Sequence, residues 1–281
     1  MTSPAASSPA DKRRAFRSLH ESGCFVLPNP WDVGTTRYLE AAGFKALATT
    51  SAGYAFSTGR PDGAVGRDEM LAHIADLLAA TSLPMNADFE AGYAHDPAGV
   101  AESVTLCIET GVSGLSIEDA TGDAARPLYD LDDAVARVRA ARKAIDASGA
   151  DVILTARAEC FLVGRTDLNE VITRLKAYAA AGADCLYAPG IRTRDDISAV
   201  VEAVAPLPVN VLMPGSTGLS VADLAGLGAR RISVGSTLSR VAWGAFIASV
   251  EEIRDAGTFQ KFADAVPFAE INGFFRAGSD T

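Results

Sequence analysis

Eight short apolar runs recur along the chain, each bounded by Gly, Pro or a charged residue. They cover residues 25–29, 46–51, 84–89, 114–119, 151–157, 185–190, 208–213 and 230–236. Several are nearly continuous in apolar residues rather than alternating, as parallel strands covered on both faces should be. Between them apolar positions return every three or four residues, as in 131–147 and 168–181, which predicts amphipathic helices. Strand–helix alternation throughout predicts an α/β fold with a parallel sheet.

A local repeat supports the count. Four predicted helices end in Gly with a strand close behind, at Gly43, Gly111, Gly182 and Gly228. Gly in that place takes the left-handed conformation that stops a helix. Eight βα units without a long polar linker predict one closed (β/α)8 TIM barrel, and 281 residues is an ordinary length for it. The rival is an open doubly wound sheet, but no GxGxxG follows the first strand. Extra helices are expected at 11–22 before the first strand, and at 241–256 and 259–268 after the last. Residues 1–10, MTSPAASSPA, read as a disordered tail, and 11–281 as a single domain.

Charge narrows the partners. With 25 basic and 35 acidic residues the formal balance is −10, which argues against nucleic acid or an anionic membrane. A small anionic ligand stays possible, because a local site can be positive inside an acidic protein. Cys24, Cys107, Cys160 and Cys185 form no CxxC pair and lie in apolar contexts, so buried free thiols and a cytoplasmic location are expected. No apolar run approaches the roughly 20 residues of a membrane helix.

In a barrel of this kind the chemistry stands at the C-terminal ends of the strands. The third strand ends NADFEAGY, with Asp88 and Glu90 two apart and so on one face of an extended segment. The fourth ends in Glu118 and Asp119. Neighbouring strands lie about 4.8 Å apart, so Asp88, Glu90 and Glu118 can converge. Converging carboxylates repel unless a cation sits among them, and oxygen-only ligands select a hard ion such as Mg²⁺. The alternative is solvation or pairing with loop arginines. Arg157 ends the fifth strand, where it can grip a substrate carboxylate or phosphate, or pair with Glu118 or Glu159. The second strand ends in Thr50, Ser51 and Ala52, whose hydroxyls and N–H groups suit a carboxylate; Asn29 and Asp32 reach the rim after the first. Asn210 on the seventh faces either a substrate oxygen or a neighbouring strand.

Absences matter too. Lys12, Lys45, Lys143, Lys176 and Lys261 all fall away from strand C-termini, which disfavours Schiff-base chemistry. His20, His73 and His95 form no HxH or HExxH pair, which disfavours a zinc hydrolase. His73 reads as structural, whereas His95 is within reach of the site.

Taken together, TTSAGYAFSTGRPD (49–62), ADFEAGY (87–93), GLSIEDATG (114–122), ILTARAECFLVG (153–164) and AYAAAGADCLYAPG (177–190) resemble the isocitrate lyase/phosphoenolpyruvate mutase superfamily over residues 20–260. The resemblance implies a Mg²⁺-dependent barrel, with Mn²⁺ as a substitute, that makes or breaks C–C or P–C bonds beside a keto or enolate carboxylate. It casts Asp88 as the principal metal acid, with Glu90 and Glu118 as further metal acids, and Arg157 as the substrate-binding arginine. Asp62 matches an aspartate implicated in phosphoryl transfer in the mutase branch, and 50–52 match the carboxylate-binding turn. It further implies a homodimer or homotetramer with exchange of the C-terminal helix. The lyase loop K[KR]CGH is missing: residues 118–132 read EDATGDAARPLYDLD, without Cys or Lys. That stretch is also shorter than the gating loop of the P–C branches, and Ala48 replaces their aromatic residue. The expectation is C–C cleavage or decarboxylation of a 2-keto or 2-hydroxy acid, with Asp62, Glu118 and Arg157 catalytic. P–C chemistry or a non-catalytic keto-acid-binding barrel are the alternatives.

Overall fold

The computed structural model describes residues 7–277, and the chain divides into two compact units between Leu238 and Ser239. The first unit holds eight parallel strands: β1 (Phe25–Leu27), β2 (Leu47–Ala48), β3 (Met85–Asp88), β4 (Gly114–Glu118), β5 (Ile153–Arg157), β6 (Cys185–Tyr187), β7 (Val209–Leu212) and β8 (Arg231–Ser233). The sheet runs β1-β8-β7-β6-β5-β4-β3-β2. Phe25 of β1 pairs with Arg231 of β8. Between β1 and β2, the Ala48 N–H donates to the Pro28 carbonyl at 3.0 Å and the Asn29 amide donates to the Thr49 carbonyl at 2.8 Å. These contacts complete the (β/α)8 barrel.

The strands are shorter than the apolar runs because the last residues of several runs leave the sheet to build the mouth. The run 46–51 is an example: its ladder stops at Ala48, and Thr50 caps a short helix, Ser51–Ser57, by accepting from the Gly53 N–H at 3.2 Å. Periodicity serves the helices well. Leu131–Ser148 buries Ala134, Val138, Ala141 and Ile145 at three- and four-residue intervals. Gly43, Gly111, Gly182 and Gly228 have φ of 88°, 97°, 103° and 88°, the left-handed stops their positions predicted.

A helix, Pro9–Glu21, precedes β1. It begins two residues inside the expected disordered tail, because Ser8 and Asp11 cap each other's backbone and Pro9 fits a first helical turn. Residues 1–6 lie outside the described residues. Phe16 of this helix plugs the N-terminal end of the barrel with Phe25, Leu27, Ala46, Ile153 and Cys185. A Cβ on Gly114 would stand 2.7 Å from the Phe16 ring, so the close approach requires glycine there.

The helix Thr237–Ala256, which enters the second unit at Ser239, contains the expected 241–256 segment. The helix expected at 259–268 is instead a short 3-10 turn, Gln260–Asp264, and a separate helix, Phe268–Ala277. Pro267 explains the break, since it cannot donate within a helix and disfavours helical geometry in the residue before it. Phe246, Phe259 and Phe268 are exposed, the last at 83%. Among the described residues no helix is long and apolar enough to cross a membrane. Cys107, Cys160 and Cys185 are buried, Cys24 is partly so, and all four are free thiols.

Candidate active site

The register of the central strands sets Asp88 beside Ser116 and Glu118 beside Arg157. The Arg157 guanidinium is the hub of the mouth. Its Nη1 lies 2.7 Å from Asp88, its Nη2 3.1 Å from Glu118 and its Nε 2.8 Å from Glu159. Burial opposes its charge, but Glu159, Glu118 and Asp88 outweigh that and push its pKa well up. Arg157 therefore pairs with both of the acids weighed as its partners and with Asp88 as well.

Asp88 is held from its other side. Its Oδ2 accepts from the Ser51 N–H at 3.0 Å and the Ser51 hydroxyl at 2.9 Å, while its own N–H donates to Thr49 Oγ1 at 2.8 Å. Asp62 comes in from the loop after helix Ser51–Ser57; it accepts from the Gly63 N–H at 3.1 Å and lies 3.5 Å from the Ser51 hydroxyl. Burial, then the charge of Asp88, raises the Asp62 pKa. Burial likewise lifts Glu118 well above the usual carboxylate range and raises Glu159, with Arg157 opposing the shift in both.

Glu90 departs from the extended geometry expected of it. β3 ends at Asp88, and Glu90 has φ of 46°, a left-handed turn that non-glycine residues seldom adopt. Its carboxylate accepts from the Tyr93 hydroxyl at 2.9 Å, and burial pushes its pKa up to about 7. Even so, Glu90 lines a cavity of about 430 Å³ with Ser51, Asp62, Glu118, Arg157 and Glu159. A smaller cavity of about 150 Å³ is lined by Thr50, Ser51, Ala52, Asp88 and Asn210, and Ser51, Asp62 and Arg157 line both.

Other expected residues also serve the frame of the barrel. The Asn210 amide donates to the Ser233 hydroxyl at 2.9 Å and accepts from Arg231 Nε at 2.8 Å, so its polar atoms go to the neighbouring strand. Asn29 fastens β1 to the Thr49 carbonyl and to the Val234 and Gly235 N–H groups. Asp32 caps helix Val33–Ala41 through the Thr35 N–H at 2.7 Å. His73 stacks on Tyr54 with ring centroids 3.7 Å apart, whereas His95 does line the larger cavity.

The sequence reading weighed Glu159 only as a partner of Arg157 and did not single out Tyr93 or Tyr129, and all three line the larger cavity. Glu159 had a signal, its place two residues beyond Arg157. Tyr93 and Tyr129 had none locally. Residues 119–129 fold as a short hairpin, with an Ala120–Leu128 antiparallel bridge and the Tyr129 N–H donating to the Asp119 carbonyl at 2.9 Å, which brings Tyr129 back to the mouth. Asp119 is structural: its carboxylate accepts from the Glu159 N–H at 2.8 Å and the Tyr178 hydroxyl at 2.5 Å and pairs with Arg174 at 3.1 Å.

The mouth thus sets five carboxylates, Asp62, Asp88, Glu90, Glu118 and Glu159, around one guanidinium. An oxygen-only donor set with surplus negative charge suits a hard cation. Among the described residues, no three His, Cys, Asp or Glu side chains are close enough together to hold one directly, so water must supply part of any coordination shell.

The phosphoenolpyruvate phosphomutase family model matches residues 16–254. The chain belongs to that family, and with it to the isocitrate lyase/phosphoenolpyruvate mutase superfamily of lyases and mutases. A Burkholderia cenocepacia structure described as a candidate lyase/mutase is 52% identical, with a TM-score of 0.93, covering 95% of this chain and 97% of that one. The oxaloacetate decarboxylase of a Bradyrhizobium species is 30% identical over 92% of this chain and 91% of its own. An oxaloacetate acetylhydrolase solved with its product oxalate is 26% identical, with a TM-score of 0.84 and 98% of each chain covered.

Proposed function

We propose that this chain is a Mg²⁺-dependent enzyme, with Mn²⁺ as a substitute, that cleaves or decarboxylates a 2-keto or 2-hydroxy carboxylic acid through a pyruvate-like enolate. The carrying observation is the surplus of carboxylate oxygens around Arg157 at the ends of β3, β4 and β5. Asp88 would hold the ion, with Glu90 and Glu118 acting through water. Bound there, a divalent cation supplies Lewis acidity to keto and carboxylate oxygens. Arg157 keeps Asp88, Glu118 and Glu159 oriented, and together with the 50–52 turn it anchors the substrate carboxylate. The similarity to a decarboxylase of oxaloacetate and to an enzyme that releases oxalate supports this substrate class.

P–C chemistry is the second reading, favoured by Asp62 facing the same cavity as a possible nucleophile on phosphorus. The short hairpin at 119–129 weighs against it. Oxaloacetate, 2,3-dimethylmalate and phosphonopyruvate should be assayed side by side with Mg²⁺. Carbon–carbon cleavage is expected, and phosphate release from phosphonopyruvate alone would overturn the reading. Stabilisation by keto acids without any turnover would point to a non-catalytic binding barrel.

The exposed Trp243, Phe246, Ile247, Val250 and Ile253 on the helix Thr237–Ala256, with Phe259, Phe262 and Phe268 beyond it, form an apolar surface of the kind that marks an interface. We propose that it joins copies of the chain into a homodimer or homotetramer. Light scattering on the full chain should exceed the 29.1 kDa monomer, and a monomer at micromolar concentration would refute the assembly.

A further inference from the structure

Any route through an enolate needs a group that delivers a proton to carbon inside the cavity, and the loop that carries a thiol in the lyases has none here. Most lining groups are already engaged: Ser51 with Asp88, Tyr93 with Glu90, and Glu118 and Glu159 with Arg157. Two side chains stand apart from that cluster. Tyr129, buried at the base of the 119–129 hairpin, and His95, exposed on the loop after β3, both line the 430 Å³ cavity. They are hydrogen-bonded to each other, His95 Nδ1 to Tyr129 Oη, at 2.9 Å. The same pair also lines a second cavity of about 490 Å³ with Asp96, Arg126 and Asp133. It therefore stands as a wall between the carboxylate site and an outer space.

The pair is fixed in place. Arg137 lies 4.0 Å from the Tyr129 ring centroid and donates to the His95 carbonyl at 2.5 Å and to the Ala91 carbonyl. The Tyr129 carbonyl accepts from Arg174 at 3.0 Å, and its N–H donates to Asp119. One guanidinium thus holds both members from below, and the hairpin base holds the tyrosine from behind.

We infer that Tyr129 is the acid that protonates the enolate carbon and that His95 resupplies it from solvent; the inference rests on the reading under Proposed function. The enolate electron pair takes the Tyr129 hydroxyl proton: the O–H bond breaks, a C–H bond forms and the C2 carbonyl is restored. The phenolate then takes the proton of His95 Nδ1 while Nε2 takes one from a water molecule, and the hydroxide left behind is neutralised by bulk buffer. Run backwards, the same pair removes a proton from the methyl group of pyruvate.

That reverse step gives a direct test. Proton NMR in D₂O with Mg²⁺ should show the full-length protein exchanging the methyl hydrogens of pyruvate. Tyr129→Phe, which keeps the ring over Arg137, should slow exchange by at least about 10²-fold, and His95→Gln by about 10-fold. Both should bind oxalate with Mg²⁺ within about twofold of wild type, which a merely structural role would not guarantee. Unchanged exchange in Tyr129→Phe would overturn the inference, and if that variant fails to fold, unchanged exchange in His95→Gln would do so. A wild-type protein that binds oxalate but exchanges nothing overturns the inference and leaves the reading of the site standing. One that neither binds oxalate nor exchanges pyruvate removes both.

Discussion

Arg157, half-buried, and Arg231, buried, stand in the barrel at opposite levels and in opposite company. At the mouth Arg157 meets Asp88, Glu118 and Glu159. Nearer the floor Arg231 meets neutral groups: Asn210 Oδ1 at 2.8 Å, Thr155 Oγ1 at 3.1 Å and His20 Nε2 at 3.4 Å. Below lies the apolar plug around Phe16. Burying charge costs several kcal/mol per ion unless partners compensate. The floor minimises the number of charges and satisfies the one it has with hydrogen bonds, as a structural layer should. The mouth instead gathers more carboxyl groups than its one arginine can pair, a surplus that the proposed cation would neutralise.

The largest effect should come from removing the hub. Arg157→Met leaves the buried Glu159 and the half-buried Asp88 and Glu118 without their shared cation and should lower unfolding free energy by about 3 kcal/mol, read by urea denaturation. A loss below about 1 kcal/mol would mean that the acids do not depend on that arginine.

A smaller effect separates the floor. Burial, and next the charge of Arg231, lowers the His20 pKa from 6.5 to about 3. Between those values the unfolded chain binds the proton and the native one does not, so this contribution to stability is present above about pH 6.5 and lost as pH falls toward 3. Going from pH 7 to pH 5, wild type should lose about 2 kcal/mol more than His20→Gln. Thermal or urea unfolding at the two pH values measures the difference, and parallel losses would show that His20 is protonated in the fold.

The sequence pattern shows the floor better than the mouth. The eight runs, the glycine stops and the plug helix follow from local periodicity and conformational preference. Asp88, Glu118 and Arg157 were also readable, because each ends a regular strand and alternation sets its direction. Glu90 was harder: its left-handed φ breaks the alternation, and no local preference of glutamate announces that turn. The pairing of Tyr129 with His95 spans 34 residues and exists only once the hairpin folds back. Asn210 could be placed on its strand, but its bonds to Ser233 and Arg231 depend on packing between strands. At the other extreme, Pro267 was visible as a breaker, yet the apolar run across it read as one continuous helix.

The surplus charge at the mouth is tested most directly by calorimetric titration of Mg²⁺ into wild type and Asp88→Ala, each in the presence of oxalate. Saturable binding by wild type and its loss in Asp88→Ala is the expected result. Equal Mg²⁺ affinity in the two proteins would contradict the assignment of the mouth as a metal site built on Asp88.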